Sequence, residues 1–197
     1  MKETKVVKFG GSSLADANQF RKVADIILAD PTRRFVVASA PGKRFVEDIK
    51  VTDMLYKCYA EAEEGKNFDK QLKAIKERYN EIIKGLGLKL SLEEQFETIK
   101  KNFEAKAGKD YAASRGEYLN GIIMANYLGY QFIDADLVIQ EQEGRLLCEI
   151  IEQEGTQGFI EVENRVNASI QAKHAIIATG GSVVYGKEAM EHLGEIG

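Results

Sequence analysis

Val6-Val7-Lys8-Phe9-Gly10-Gly11-Ser12-Ser13 sets the topology of this chain, because a short apolar run breaks into two glycines and two hydroxyl residues. The segment 16–28 follows, and its apolar residues recur at the spacing of one helix face. A strand that turns directly into a helix presents backbone N–H groups and the positive end of the helix dipole to a ligand above the turn. Lys8 adds a mobile point charge that suits phosphate. This stretch therefore predicts an anion-binding corner.

The composition limits the class of protein to which the chain can belong. Its 197 residues carry 44% hydrophobic and 29% charged side chains, which is typical of a soluble globular domain. A net charge of −4 argues against a general nucleic-acid binder. No apolar run approaches the roughly 18 residues of a membrane span, and charges from Lys2 to Lys8 interrupt any signal core. We therefore expect a cytoplasmic protein with no nucleic-acid or membrane partner.

Metal chemistry based on cysteine or histidine is not indicated. Cys58 and Cys148 lie far apart and have no metal-ligand spacing, and His174 and His192 are too few for a histidine site. We expect two reduced thiols and no metal ligands among these residues.

The order of the predicted elements indicates an α/β fold. Strands are predicted at 6–9 and 35–38 with the helix 16–28 between them, which is the signature of a right-handed parallel unit. Apolar stripes at helical spacing predict a helical insert between 51 and 103. The later elements are a helix from Ser114 to Leu128, a strand at 130–135, helices at 146–151 and 159–170, a strand at 175–179 and a helix at 187–193. We expect one three-layer α/β sandwich with a mainly parallel sheet.

Polar or glycine-rich breaks follow four predicted strands at their carboxyl ends, where open α/β sheets bind ligands. They are Gly10-Gly11-Ser12-Ser13, Ser39-Ala40-Pro41-Gly42, Gly180-Gly181-Ser182, and the pair Asp134 and Asp136. Each break taken alone is explained as an ordinary turn. Their joint occurrence favours a phosphate-handling site.

The charged candidates also have purely structural interpretations. Lys8 can be interpreted simply as a lysine at the edge of the sheet whose ammonium group reaches solvent. Glu117 occupies the last position of a capping box that begins at Ser114, so helix initiation alone accounts for it. Asp134 and Asp136 alternate on a strand and would point to opposite faces unless the strand has already ended.

Lys8-Phe9-Gly10-Gly11-Ser12-Ser13 resembles the opening of aspartate kinases, which belong to the amino acid kinase family. Three further segments resemble that family in the same order: SAPGKR at 39–44, VTDML at 51–55 and SRGEYLNG at 114–121. The resemblance covers residues 4 to about 139. It implies an amino acid kinase-like fold and phosphoryl transfer from ATP, with Mg²⁺, to the side-chain carboxylate of L-aspartate.

The same resemblance implies a role for each matching residue. Lys8 is the implied catalytic residue, which contacts and neutralises the transferred phosphoryl group. The implied phosphate- and ATP-binding residues are Gly10, Gly11, Ser12 and Ser13. The implied substrate-binding residues are Ser39 and Thr52 near the aspartate and Glu117 at its amino group.

Residues from about 129 to 197 resemble shikimate kinases instead, through Gly129-Tyr130-Gln131-Phe132-Ile133-Asp134-Ala135-Asp136 and Ile176-Ile177-Ala178-Thr179-Gly180-Gly181-Ser182. This resemblance places Asp134 near Mg²⁺ and Asp136 at a substrate hydroxyl, with Gly180 and Gly181 close to the substrate. The Gly-x-x-x-x-Gly-Lys-Ser/Thr phosphate loop of that family has no counterpart here. Its substrate-binding arginine is missing too, because Ile160 follows Phe159.

The chain therefore resembles two partial kinases joined in one domain, in which 1–139 is aspartate kinase-like and 140–197 completes the sheet. The sequence is compatible with a natural fusion of two kinase genes' products and equally with an artificial chain. The function we expect is aspartate kinase-like transfer, impaired in this length of chain. The alternatives are a shikimate kinase-like enzyme and a non-catalytic fragment or chimeric domain. Self-association into a homo-oligomer is a further hypothesis, because truncated lobes expose apolar surface.

Overall fold

The computed structural model describes residues 5–172, 175–179 and 181–196. Strands and helices alternate at both ends of the chain and enclose a run of consecutive helices. The elements in chain order are β1 (Lys5–Phe9), α1 (Ala17–Leu28), β2 (Arg33–Ala38), α2 (Val51–Glu63), α3 (Asp69–Leu86), α4 (Glu93–Glu104), α5 (Lys109–Leu128), β3 (Gln131–Asp134), α6 (Ala135–Glu143), α7 (Leu147–Asn167), β4 (Ala175–Ala178) and α8 (Lys187–Ile196). Short 3-10 turns follow β1 at Gly11–Leu14 and β4 at Gly181–Tyr185.

The opening strand–helix–strand unit is confirmed. β1 and β2 are parallel, and Lys8 lies opposite Val37 in their register. Helix α1 begins after Asp16, whose carboxylate accepts hydrogen bonds from the N–H groups of Asn18 at 2.8 Å and Gln19 at 3.0 Å. Such a cap satisfies N–H groups that have no partner inside the helix. The predicted apolar face of α1 is the face that is buried.

The helical insert packs against this unit and supplies most of the main core. Helices α2, α3 and α4 bury their apolar stripes together with the inner face of α5. The rings of Tyr59 and Phe103 meet edge to face, with centroids 5.4 Å apart. Aromatic pairs of this geometry stabilise a core beyond the area that they bury.

Helix α5 begins at Lys109, so the predicted helix start at Ser114 is wrong. Ser114 lies inside the helix, and its Oγ donates a hydrogen bond to the Tyr111 carbonyl oxygen at 2.9 Å. The helix extends upstream because Ala112 is fully buried there. Glu117 is therefore no part of a capping box, and helix initiation does not explain its presence.

The second half of the chain adds a second pair of parallel strands. β3 and β4 pair in register, with Asp134 opposite Ala178, and β4 approaches β2 of the first pair. Helix α6 was not expected from the sequence; it begins because the Asp134 carboxylate accepts the N–H groups of Asp136 at 3.0 Å and Leu137 at 3.4 Å. The strand ends at Asp134, so of the two alternatives for this pair the one in which the strand has already ended holds, and Asp136 lies in the first turn of α6.

The span α7 covers the two helices that were predicted at 146–151 and 159–170, and they remain separate helical segments because the backbone between them is not helical at Gly155. Gly155 interrupts the span with φ 71° and ψ 177°, a backbone conformation that favours glycine.

Among the described helices, none is both long enough and apolar enough to cross a membrane.

Candidate active site

The two glycine-containing loops at the carboxyl ends of β1 and β2 pack directly against each other. The Gly42 N–H donates a hydrogen bond to the Gly11 carbonyl oxygen at 2.8 Å. A Cβ atom at Gly42 would lie 2.6 Å from the Gly11 carbonyl carbon, and one at Gly11 would lie 2.8 Å from the Ala40 carbonyl oxygen. Because Cβ atoms do not approach backbone this closely, both positions need glycine. The two loops therefore form one continuous surface around Gly11 and Gly42, called the glycine surface below.

Helix α5 brings its own motif to this surface. A Cβ atom at Gly116 would lie 2.6 Å from the Ala40 Cβ, so the α5 backbone lies directly on the second loop. The amide of Asn120, which is fully buried, donates a hydrogen bond to the Ser39 carbonyl oxygen at 2.6 Å. Ala40 therefore lies between Gly11 and Gly116, and three motifs from distant parts of the sequence meet there.

Thr52 joins the site through the start of helix α2. The Val51 N–H donates to the Pro41 carbonyl oxygen at 3.0 Å, so α2 begins directly on the second loop. Thr52, in the first turn of that helix, and Ser39 are both half-buried. These two predicted substrate-binding hydroxyls belong to one loop–helix unit.

Lys8 and Glu117 are exposed, and neither has an ion-pair or hydrogen-bond partner among the described residues. Lys8 lies opposite Val37, which is 45% exposed, so this lysine projects from an uncovered face of the strand pair. Glu117 follows Gly116, which contacts the second loop. Lys8 lies two residues before the glycine turn and Glu117 one residue after the glycine that contacts the second loop, so both charged residues belong to segments that meet at this surface.

The turn after Lys8 is shaped by one backbone hydrogen bond. The Ser13 N–H donates to the Gly10 carbonyl oxygen at 2.9 Å. Gly10, Ser12 and Ser13 are exposed, whereas Gly11 is half-buried because the second loop covers it. The residues predicted to bind phosphate therefore lie together on an accessible turn.

Arg78 is a buried charged residue that the sequence analysis missed. It lies on α3, its side chain is 4% exposed, and its Nη1 pairs with Asp48 at 2.8 Å. Its Nη2 donates to the Gly42 carbonyl oxygen at 2.6 Å and to the Ala15 carbonyl oxygen at 3.4 Å. A signal was present, because Arg78 follows Ile75 by three positions in the apolar stripe of α3, where a charge is costly unless it is paired.

The pKa values of this pair follow from its surroundings. Hydrogen bonds from Arg44 hold the pKa of Asp48 well below its usual range, against the opposing effect of burial. Burial lowers the pKa of the Arg78 guanidinium, and the positive charge of Arg44 acts in the same direction. The Asp48 carboxylate therefore forms ion pairs with two arginines, Arg44 and Arg78, near the end of the second loop.

Tyr79, the next residue on α3, also bonds to the site. Its fully buried hydroxyl donates to the Gly116 carbonyl oxygen at 2.8 Å. Burial raises the pKa of Tyr79 well above its ordinary value, Arg78 lowers it, and the negative charge of Glu117 raises it further. The helical insert, in which the sequence displays only apolar stripes, thus contributes two hydrogen-bonding side chains to the candidate site.

A second group of acidic side chains lies around the start of α6. Burial raises the pKa of Asp134 and of Asp136, and the charge of Asp134 raises that of Asp136 further. Burial also raises the pKa of Glu163 on α7, which is 1% exposed. The positive charge of Arg115 lowers the pKa of both aspartates, against the effect of burial. Its guanidinium lies over the Tyr111 ring, 4.5 Å from the ring centroid. Gly180 and His174 lie outside the described residues, and Gly181 opens the second 3-10 turn.

The residues of the glycine surface fit a phosphate chain better than a protein-held metal ion. The part of the chain that the structure describes contains no group of three or more histidine, cysteine, aspartate and glutamate side chains that could hold a metal. Mg²⁺ in phosphate-transferring proteins is commonly held by one or two carboxylates together with substrate phosphates. An accessible glycine turn beside an unpaired lysine suits those phosphates.

The chain is similar to aspartokinases over most of its length. It is 35% identical to aspartokinase 3 of Bacillus subtilis (strain 168) over 146 residues, which are 71% of this chain and 32% of that protein. The crystal structure of Clostridium acetobutylicum aspartate kinase matches with a TM-score of 0.70 and 42% identity, over 90% of this chain and 39% of that one. E. coli aspartokinase III in complex with aspartate and ADP matches in fold, with a TM-score of 0.59 and 23% identity over 97% of this chain and 47% of that one.

The later part of the chain is similar to a second family. The shikimate kinase family model matches residues 119–197. Shikimate kinase of Synechococcus sp. (strain CC9605) is 41% identical over 70 residues, which are 35% of this chain and 35% of that protein. The chain thus spans about a third of the length of the curated relatives that it matches. The two predicted resemblances are confirmed: the chain has an α/β fold of the amino acid kinase type, and it is similar to aspartokinases over most of its length and to shikimate kinases over 119–197.

Proposed function

We propose that this chain binds ATP and L-aspartate and transfers the γ-phosphoryl group to the aspartate side-chain carboxylate, with Mg²⁺ on the phosphates. One observation carries the proposal. Ala40 joins the turn after Lys8 to the helix that carries Glu117, and within the described part of the chain neither charged side chain has an ion-pair or hydrogen-bond partner. Phosphoryl transfer depends on such positioning and charge rather than on covalent chemistry by the protein.

Each group has a part in that reaction. The N–H groups of the turn at Gly10 and Gly11 would cradle phosphate, and Lys8 would neutralise the transferred group. Glu117 would pair with the ammonium group of aspartate. Ser39 and Thr52 would orient its carboxylates. A side-chain carboxylate oxygen would then form the new bond to the γ-phosphorus while the bond from that phosphorus to the β,γ-bridging oxygen of ATP breaks. That oxygen leaves with ADP, and no proton has to move.

The later part of the chain supports this site in our proposal. Strand β4, which belongs to the segment 140–197, pairs in parallel with β3 and approaches β2. We propose that 140–197 completes the sheet of a single domain. Aspartokinase III of E. coli, which matches in fold, has been crystallised with aspartate and ADP.

The test is ADP release with aspartate, together with calorimetric titration of ATP–Mg²⁺, in the wild type, Lys8→Ala and Lys5→Ala. Lys5 is the matched control because it lies on the same strand and its Nζ pairs with Asp30 at 2.9 Å, away from the turn. We expect Lys8→Ala to lose turnover and to weaken nucleotide binding, whereas Lys5→Ala stays near wild type. Equal binding by Lys8→Ala would remove Lys8 from the phosphate site. No turnover and no aspartate-dependent thermal shift in the wild type would refute the catalytic proposal.

A second candidate is a shikimate kinase-like activity, favoured by the family match over 119–197 and by the buried pair Asp134 and Asp136. The absence of the phosphate loop from the sequence counts against it. ATP turnover on shikimate that is lost in Asp136→Asn would establish it over the aspartate reaction. A third candidate, a non-catalytic domain, predicts that nucleotide leaves the melting temperature unchanged.

A further inference from the structure

We propose that Arg78 is a positioning residue: from helix α3 it holds the loops after β1 and β2 in one fixed relative position. The identity of the ligand at those loops rests on the proposed function, whereas the fixed relative position of the loops does not depend on it.

The geometry of the guanidinium supports this role. Nη2 donates to the carbonyl oxygen of Gly42, 2.6 Å away, and reaches that of Ala15 at 3.4 Å. Ala15 ends the segment that contains the glycine turn, and Gly42 is the residue whose N–H bonds to the carbonyl oxygen of Gly11. Arg78 therefore reinforces the contact between the two loops through their backbone carbonyl groups.

The ion pair fixes a further point of the second loop. Nη1 pairs with Asp48 at 2.8 Å, and Asp48 in turn accepts from the Arg44 Nε at 2.8 Å and from the Arg44 backbone N–H at 2.9 Å. Gly42 and Asp48 lie near the two ends of the connection between β2 and α2. One planar guanidinium thus holds both ends of that connection, which a single ammonium cannot reproduce.

A role limited to stability accounts poorly for this arrangement. Arg78 Nε has no hydrogen-bond partner among the described residues, although the side chain is buried. A buried ion pair is weak evidence for stability, since well-packed apolar side chains often serve as well. All the hydrogen bonds of Arg78 go instead to the loops of the candidate site.

The experiment compares amide hydrogen exchange in the wild type, Arg78→Lys and Arg21→Lys, all without ligand. Lysine keeps the charge, so the variant retains one partner for Asp48 and is expected to fold. Arg21 and Arg78 line one cavity of about 350 Å³. Arg21 is the matched control because it bonds to Asn18 and Gly85 rather than to the loops. We expect the Gly42 amide to exchange about tenfold faster in Arg78→Lys only, because its hydrogen bond opens locally.

The buried α4 amide of Ile99 serves as the internal reference. Unchanged exchange at Gly42 in Arg78→Lys would overturn the proposal. Equal acceleration at Gly42 and Ile99 would also overturn it, because Arg78 would then act on global stability alone.

Titration of ATP–Mg²⁺ into the same three proteins separates this proposal from the proposed function. We expect binding to Arg78→Lys to be about tenfold weaker than to wild type and Arg21→Lys, because ligand groups meet a loosened surface. Wild-type affinity in Arg78→Lys, despite faster exchange at Gly42, would refute positioning. If the wild type binds no nucleotide, the proposed function fails, whereas the exchange result still decides whether Arg78 holds the loops.

Discussion

The backbone N–H of Gly42 donates a hydrogen bond to the carbonyl oxygen of Gly11 at 2.8 Å, and this contact joins the loops that follow two neighbouring strands. The loops approach so closely that neither residue has room for a Cβ atom. The predicted phosphate-binding turn at 10–13 and Ser39 lie on these loops, Thr52 lies in the helix turn that starts beside them, and Lys8 lies on the strand that leads into the first loop. The stability and the ligand affinity of the protein should therefore both depend on this contact.

Gly42→Ala should lower the free energy of unfolding by about 1–3 kcal/mol, the usual cost of forcing an extra carbon into a packed site. The added Cβ would meet backbone atoms of Gly11 and Ser12, which cannot rotate away as a side chain would. Urea unfolding measures the loss. Gly10→Ala is the control for stability, because no atom lies within 4 Å of a Cβ there. Equal unfolding free energies for both variants would contradict the tight contact.

Tyr79→Phe should lower the free energy of unfolding by about 1 kcal/mol, the net value of one buried hydrogen bond. The hydroxyl that is removed donates to the Gly116 carbonyl oxygen at 2.8 Å. Tyr56→Phe is the matched control, since Tyr56 is 44% exposed. Chemical denaturation of the two variants under the same conditions compares them directly, and a loss confined to Tyr56→Phe would be inconsistent with the structure.

Asp48→Asn should destabilise the protein at neutral pH by about 3 kcal/mol or more, because it leaves the buried Arg78 without its counter-ion. The pKa of Asp48 is lowered in the folded state, so its carboxylate contributes stability above the unfolded value of about 3.9. That contribution is lost as the pH falls toward the folded pKa. The unfolding free energy of the variant should therefore fall less than that of wild type below about pH 4. If the unfolding free energies of wild type and variant fell equally with decreasing pH, that result would contradict the ion pair between Asp48 and Arg78.

Glu163→Gln should have the opposite effect at neutral pH. Burial raises the pKa of Glu163 in the folded state, so the contribution of this one group to stability is most favourable below the unfolded value of about 4.3 and is lost as the pH rises through the folded pKa. Removing the charge should stabilise the protein by roughly 1 kcal/mol at pH 7 and have little effect at low pH. Denaturant unfolding across the pH range measures the difference, and a variant less stable than wild type at pH 7 would be a contrary result.

Glu117→Gln should raise the KM for aspartate about tenfold or more while leaving the KM for ATP near wild type, because a charge-assisted hydrogen bond to the ammonium group is lost. Glu97→Gln, an exposed position on α4, is the control. Steady-state kinetics with each substrate varied in turn separates the two constants. A rise in the KM for ATP alone would assign Glu117 to the nucleotide instead.

Elements governed by local pattern could be predicted from the sequence. The apolar run before Gly10, the polar Asp16 ahead of the helix and the apolar face of α1 predict the opening unit, and the structure has it. Elements whose boundaries depend on distant packing were missed. Helix α5 begins at Lys109 because Ala112 is buried by the rest of the fold, and α6 forms because the Asp134 carboxylate caps it once the strand has ended.

The sequence by itself determined the order of strands and helices in the opening unit, the residues that resemble two kinase families, and the candidates Lys8, Ser39, Thr52 and Glu117. Only the tertiary structure decided that their segments meet around Ala40 and that Arg78 holds two of these loops. Periodicity and turn chemistry act between neighbours in the chain, so a sequence displays them directly. A buried guanidinium obtains its partners from segments that are distant in sequence, so its role exists only once the chain has folded.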